Sequence, residues 1–361
     1  MPVRHLPAEP DLRHLQLQAK DLLRGHRDGD GAVLQRLREF HPRYARATDA
    51  ELRSAPLTLA DAYFALAREY GFSSWVRLRT AVISTMTPDF NKAHHERITD
   101  STFRQAVDLL DAGDLAGLRE YLRSHSDLIT QRVTFEGENY FQQPALLEFI
   151  AENPVRHESM PPNAVEVAEL LIEAGAPRAS IDETLMLVSS GRVARECGLQ
   201  VPLIELLAKH GASLDGAMLP ALVHAEFEAV EALIHLGAPI TLDVAAGTGR
   251  VDDAKRMFVS ADASSRHRAL ALAAQHGHAA ILTMLLEAGE DPNRFNPVGC
   301  HSHSTPLHQA ALAGHLDSIR VLIEHGARTD IGDTLFNGIA LEWARYANQE
   351  QAASYLARNA R

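Results

Sequence analysis

The chain is 361 residues long, 46% hydrophobic and 23% charged, with 47 Asp and Glu against 35 Lys and Arg and a formal charge of −12. That length exceeds one ordinary compact core, so two domains or a repeat array are expected, and the composition is that of a folded chain rather than a disordered one. Two cysteines, Cys197 and Cys300, lie far apart and outside any CxxC pair, which excludes a disulfide framework and a zinc site of the usual cysteine spacing.

The charge is unevenly spread. Residues 1–83 hold 13 Lys and Arg against 10 Asp and Glu, so the remainder sits near −15. An acidic array repels phosphate backbones, so nucleic acid is not an expected partner. No apolar run reaches the roughly 18 to 20 residues of a membrane helix, so no membrane association is expected. The first fourteen residues are polar, carry Pro2, Pro7 and Pro10, and lack the apolar stretch of a secretion signal. A cytoplasmic protein is the expectation.

In chain order, residues 1–83 read as a helical bundle. Leu12, Leu15, Ala19, Leu22 and Leu23 make one helical face, and Val33, Leu34, Leu37 and Phe40 a second. Thr58 with Asp61 resembles a capping box opening a third helix with Leu59, Tyr63, Leu66 and Tyr70 on its face. Phe72, Trp75, Leu78 and Val82 suggest a short fourth. Residues 84–98 read as a linker, and residues 99–361 as a repeat domain closed by a C-terminal cap.

The clearest repeat runs from Ser304 to Asp330. Thr305 caps a first helix and Pro306 fits its first turn, where no N–H partner is required. Gly314 and His315 break the chain, and Leu316, Ile319, Leu322 and Ile323 then form one face of a second helix. Gly326 stops that helix in a left-handed turn. The same Leu-rich, glycine-stopped ending recurs at Gly175, Gly211, Gly237 and Gly289. One spacing is twice as long as its neighbour, so a degenerate copy is expected between Gly237 and Gly289, with its second helix near Val251 to Phe258. A first copy is expected over Phe103 to Leu122 and a cap over Gly338 to Leu356, giving about eight repeats.

Thr305-Pro306-Leu307-His308-Gln309-Ala310 resembles the T-P-L-H-x-A signature of ankyrin repeats. The strings LPAEPDLRHLQLQAKDLL from Leu6, LAREYGFSSWVRL from Leu66, PPNAVEVAELLIEAGA from Pro161 and DPNRFNPVGCHSHSTPLHQAALAGH from Asp291 resemble a group of bacterial ankyrin-repeat proteins with a helical front module. The resemblance implies an all-α solenoid of ankyrin repeats and, by the general habit of such repeats, partner binding on the fingers and inner helices. One departure is the last copy, where Gly338-Ile339-Ala340-Leu341 stands for the usual Gly-Thr-Pro-Leu.

Two irregularities stand out. The segment Thr134 to Asn163, rich in aromatic and polar residues and proline (Tyr140, Phe141, Pro161, Pro162), reads as a bulky loop between the helices of the second repeat. The finger before Thr305 is about four residues longer than a 33-residue repeat requires. Loops longer than the fold needs are where function tends to reside. This finger carries Arg294, Phe295, Asn296, His301 and His303, an aromatic anchor with hydrogen-bonding and titratable groups. Leu312 and Ala313 lie on the neighbouring inner helix, and these seven residues form the expected contact site.

Most of the nineteen histidines have structural readings. His308 is the signature histidine, His278 and His315 follow inter-helix glycines, and His210, His235 and His325 end helices. His301 and His303 alternate, and on an extended strand both rings reach one ion or ligand while Cys300 points away. Gly247 and Gly249 read as an inter-helix turn rather than a nucleotide loop, for no third glycine follows. No nucleophile motif appears and no cofactor is implied. The expected function is binding of a protein partner through the concave face and fingers by a monomer, rather than catalysis. The alternative is a small-molecule or metal site, or an enzyme, with a pocket walled by the His301/His303 finger, the short middle repeats and the Tyr140–Phe141 loop.

Overall fold

A computed structural model of the chain describes residues 4, 6, 12–85, 92–135 and 140–359. Among these, every element is a helix apart from two isolated bridges, Arg132 with Ala145 and Gly332 with Ile339. No described helix is long and apolar enough to cross a membrane. The chain divides into two compact units, Met1–Asn91 and Lys92–Arg361.

The first unit is a helical bundle: Leu12–Arg27, Gly31–Phe40, Asp49–Ser54, Leu59–Glu69 and Trp75–Thr85, with one 3-10 turn at Pro42–Tyr44. Leu15, Ala19, Leu22, Leu34, Leu37, Leu52, Leu66 and Leu78 form its core. The Thr58–Asp61 capping box is present. The reading missed the helix Asp49–Ser54, which a second capping box of Thr48 and Glu51 opens. Glu69 is buried, and Arg4 (3.0 Å) and Arg36 (2.7 Å) neutralise it.

Residues 84–98 are not one linker. Thr85 ends a helix, residues 86–91 lie outside the described residues, and His94–Arg97 form a 3-10 turn that belongs to the second unit. The Arg104 side chain donates to the carbonyls of His95 and Glu96 and holds that turn in place.

The second unit is a solenoid of eight helix pairs. The inner layer is Ser101–Asp111, the 3-10 helix Leu146–Ala151, Arg178–Ser189, Asp215–Val223, Leu242–Thr248, Ala263–Gln275, Pro306–Ala313 and Ala340–Tyr346. The outer layer is Leu115–Ser124, Ala164–Glu173, Gln200–Lys209, Phe227–His235, Val251–Phe258, Ala279–Glu287, Leu316–Glu324 and Glu350–Arg358. Each pair packs on its neighbours, so burial is repeat against repeat and the core runs as a strip along the array. The degenerate copy has its outer helix at Val251–Phe258, as expected.

Histidines stitch the layers. His308 accepts the Thr305 N–H at Nδ1 (3.2 Å) and donates from Nε2 to the Gly338 carbonyl one repeat on (3.1 Å). His278 and His315, which open outer helices, donate back to Gly247 (3.1 Å) and Gln275 (3.1 Å) in the preceding repeats. The last repeat lacks the capping threonine; Glu342 accepts the Ile339 N–H instead (3.0 Å).

Two expectations are corrected. The segment 134–163 is not all loop between helices. It contains the inner helix Leu146–Ala151, and Phe141 is buried in a ring cluster with Phe135 and Phe149; residues 136–139 lie outside the described residues. Gly247 is not in a turn but in the last turn of its helix. A Cβ there falls 2.8 Å from the Leu222 Cδ2 methyl, so a larger residue would push that side chain aside. The left-handed residue that ends the helix is Gly249 (φ 72°).

Candidate interaction surface

The long finger opens at Asp291, whose carboxylate accepts the Asn293 N–H (2.9 Å). Asn293 donates from its side chain to the Gly326 carbonyl (3.0 Å) and accepts from the Arg328 N–H (2.8 Å). That asparagine therefore locks the finger base to the following repeat. Arg294 and Phe295 are exposed, Phe295 by 38%.

Asn296 is buried, against the expectation that it offers contacts. Its N–H donates to the Ser304 carbonyl (2.8 Å), which pairs the two limbs of the finger. Beyond it the chain turns rather than running extended. Gly299 is left-handed (φ 87°), and so is His301 (φ 59°), which is uncommon for a residue with a side chain. The alternating-strand geometry for His301 and His303 is thereby overturned. Their rings still meet edge to face, with centroids 6.2 Å apart.

The two rings then part in role. His303 leans on Trp343 of the last inner helix (5.7 Å), and its carbonyl accepts the Thr334 N–H of the next finger (2.9 Å). His301 is half-buried, and burial first, then the nearby His303 and His224, hold its ring below the ordinary value. Cys300 is buried, in the same apolar cluster as Val223, Val244 and Leu272, and burial pushes its thiol up to about 11. Leu312 is half-buried and Ala313 exposed at the end of the inner helix.

The next finger carries what the sequence reading missed. Asp333 is buried and accepts the N–H groups of Leu335 (2.9 Å), Phe336 (2.8 Å) and Gly338 (2.9 Å), and the Trp343 indole N–H (3.1 Å). Burial pushes its carboxyl up, but these four donors together outweigh that and pull it down to about 2. Held this way, the tip presents Leu335 and Phe336 to solvent, 64% and 82% exposed. Val298 on the long finger is 89% exposed, and Tyr346, at the register that Leu312 holds one repeat earlier, is 84% exposed.

A second constellation lies elsewhere, around the loop that follows Ala151. Arg156 is buried between Asp111 (2.6 and 2.7 Å) and Glu152 (2.8 Å), and His157 reaches Asp111 (3.0 Å). The Arg156 N–H and His157 N–H both donate to Glu152, and the His157 ring lies on His95 with centroids 4.3 Å apart. A cavity of about 360 Å³ opens beside them, walled by Leu110, Phe149, Met160, Pro161 and Pro162. Ligand atoms of Asp111, Glu152 and His157 lie within 4.8 Å of one another. The set does not fit a resident metal, because the Arg156 guanidinium already takes the carboxylate lone pairs and supplies the positive charge an ion would bring. No finger residue lines this cavity, so the three walls of the pocket alternative do not converge there.

Two sequence comparisons bear on the chain. Residues 241–333 and 270–361 match the family model described as ankyrin repeats (3 copies). The matched stretch holds the last four helix pairs, fingers and exposed apolar tips included; the four pairs before it continue the same two-layer packing outside the match. No curated protein matches the chain.

Proposed function

We propose that the chain is a protein-interaction module whose partner seats on the finger edge and the concave side of the last two repeats. Ankyrin repeats serve generally in protein interaction, and this C-terminal region carries them. The observation that supports the placement is the exposure of Val298, Leu335, Phe336 and Tyr346 on a backbone that Asn293 and Asp333 hold rigid. Large apolar side chains lose solvent contact favourably when a partner covers them, and a pre-ordered backbone loses little entropy on binding. Phe295, Arg294, Leu312 and Ala313 extend that edge. The partner is a protein, bound by a cytoplasmic monomer without a cofactor, and nucleic acid and membrane are not its ligands.

A photo-reactive residue placed at Val298 tests this in the native cell, with Val259, 87% exposed at the end of the outer helix Val251–Phe258, as the control position. The reading requires a discrete adduct from position 298 and none from 259. Equal labelling from both positions contradicts it.

A further inference from the structure

The outer layer carries an apolar stripe that its own packing leaves uncovered. At the register of Val165, Val201, Ala279 and Leu316 in the other glycine-stopped outer helices, Phe227–His235 opens with a phenylalanine. Where Ala174, His210, Ala288 and His325 precede the stopping glycine elsewhere, Leu236 stands here. Both larger side chains are exposed, Phe227 by 42% and Leu236 by 40%. Single exposed apolar residues carry little meaning, but these two lie in one groove. It has a volume of about 560 Å³ and runs between Phe227–His235 and the preceding outer helix Gln200–Lys209, with Val201 and Ala232 completing its apolar floor. The His276 ring meets Phe227 edge to face (5.1 Å) and supports one side of it.

The rim of that groove is acidic on both walls, Glu205 on one helix and Glu228 and Glu231 on the other. Arg250 takes Glu231 (2.6 and 2.8 Å). Glu205 and Glu228 are exposed and have no ion pair among the described residues. The lysine of the same wall, Lys209, turns to Glu169 on the outer helix before it (3.3 Å). Three carboxylates against one arginine leave two negative charges uncompensated beside an apolar floor, in an array that is acidic throughout. Such a rim repels phosphate, so nucleic acid and anionic lipid are poor occupants. The complement is an apolar stripe flanked by lysine or arginine, whose stems add apolar cover while their heads reach the glutamates. A groove between two helices, without a free strand edge, takes such a stripe as a helix. The nine residues of Phe227–His235 span about 14 Å, room for about three turns of a partner helix.

We propose that this outer-layer groove of the third and fourth repeats is a second docking site, and that its occupant is a basic amphipathic helix of another protein. Apolar side chains of that helix cover Phe227 and Leu236, and its cations face Glu205 and Glu228. The site is separate from the finger edge and does not depend on the partner reading above.

The probe is a fluorescent synthetic peptide of about fifteen residues, with leucines at helical spacing and lysines elsewhere, titrated with the full chain by anisotropy at about 0.15 M salt. The wild-type chain should bind it. Phe227→Ser with Leu236→Ser should weaken binding at least about tenfold, and so should Glu205→Gln with Glu228→Gln. These side chains are exposed, so melting should not change. If the apolar pair nevertheless melts low, the glutamate pair decides alone. Glu287→Gln with Glu324→Gln removes two exposed carboxylates from other outer helices and should leave the affinity as it is. Leu335→Ser with Phe336→Ser should also bind the peptide like wild type, which separates this site from the finger edge. A peptide of equal charge with serine for leucine should bind at least about tenfold more weakly. Absence of binding, or unchanged affinity in the groove variants, overturns the proposal. An equal loss in the Glu287 and Glu324 pair overturns it too, because general charge attraction then explains the binding. Self-association of the wild-type chain in sedimentation, abolished by Phe227→Ser with Leu236→Ser, places a second copy in the groove and overturns it as well.

Discussion

Glu148 occupies the third position after the helix-start residue Ala145, the place that His308 holds after Thr305. Its carboxyl group is buried, with Arg132 at 3.4 Å, and Glu183 on the next inner helix takes the same arginine at 2.8 Å. Burial raises the Glu148 carboxyl from 4.5 to about 8, the neighbouring Glu183 adds to this, and Arg132 opposes it. The folded chain therefore holds a proton that the unfolded chain releases above pH 4.5, so stability falls as pH rises from 4.5 towards 8. At pH 7 the cost is at most about 3.5 kcal/mol, from ~2.5 pH units at ~1.4 kcal/mol each. Glu148→Gln keeps the shape of the side chain and has no proton to lose. Urea unfolding followed by circular dichroism should show the two proteins alike near pH 4.5 and the variant more stable by as much as about 4 kcal/mol near pH 8. A variant less stable than wild type near pH 8, or a difference equal at both pH values, refutes the account of a buried, protonated Glu148.

Three further outcomes follow from named contacts. His308→Ala leaves the Gly338 carbonyl and the Thr305 N–H without their partner and should lower unfolding stability by about 1–3 kcal/mol, read in the same urea assay. Asp333→Ala should cost about 2 kcal/mol at neutral pH, and because the folded carboxyl sits at about 2 against 3.8, its difference from wild type should vanish as pH falls through that interval. The buried His276 ring sits at about 4 against 6.5, so the wild-type array should lose stability as pH falls from 6.5 towards 4; His276→Gln, which can still donate to Leu222, should recover something on the order of 1–3 kcal/mol of that loss in melting curves at pH 4–5.

The repeat architecture was legible because its signals are local. Thr305-Pro306, the glycines that stop outer helices and the Leu-rich faces all act within one repeat, and even the outer helix Val251–Phe258 declared itself through spacing. The inner helix Leu146–Ala151 was hidden because Glu148 stands for histidine and no Thr-Pro pair opens it. The candidate site was half legible. Finger length and composition singled out the long loop, but Asn296 bonds within it to Ser304, and Asn293 serves the Gly326 carbonyl, 33 positions on in the chain. Nothing local distinguishes a polar side chain that serves a distant carbonyl from one that waits for a ligand. Leu335, Phe336 and Tyr346 escaped for the opposite reason: apolar residues read as core until Asp333 is seen turning the tip outward.

The central claim, that the finger edge of the last two repeats binds a protein, is tested most directly by an affinity. The partner captured at position 298 is purified and titrated calorimetrically into wild type and into the double variant Leu335→Ser, Phe336→Ser. Both side chains are exposed, so the melting temperature should be unchanged. The account predicts binding weakened by at least about thirtyfold, the loss of about 2 kcal/mol expected when an interface anchor is removed. An unchanged dissociation constant in a variant that melts like wild type contradicts it.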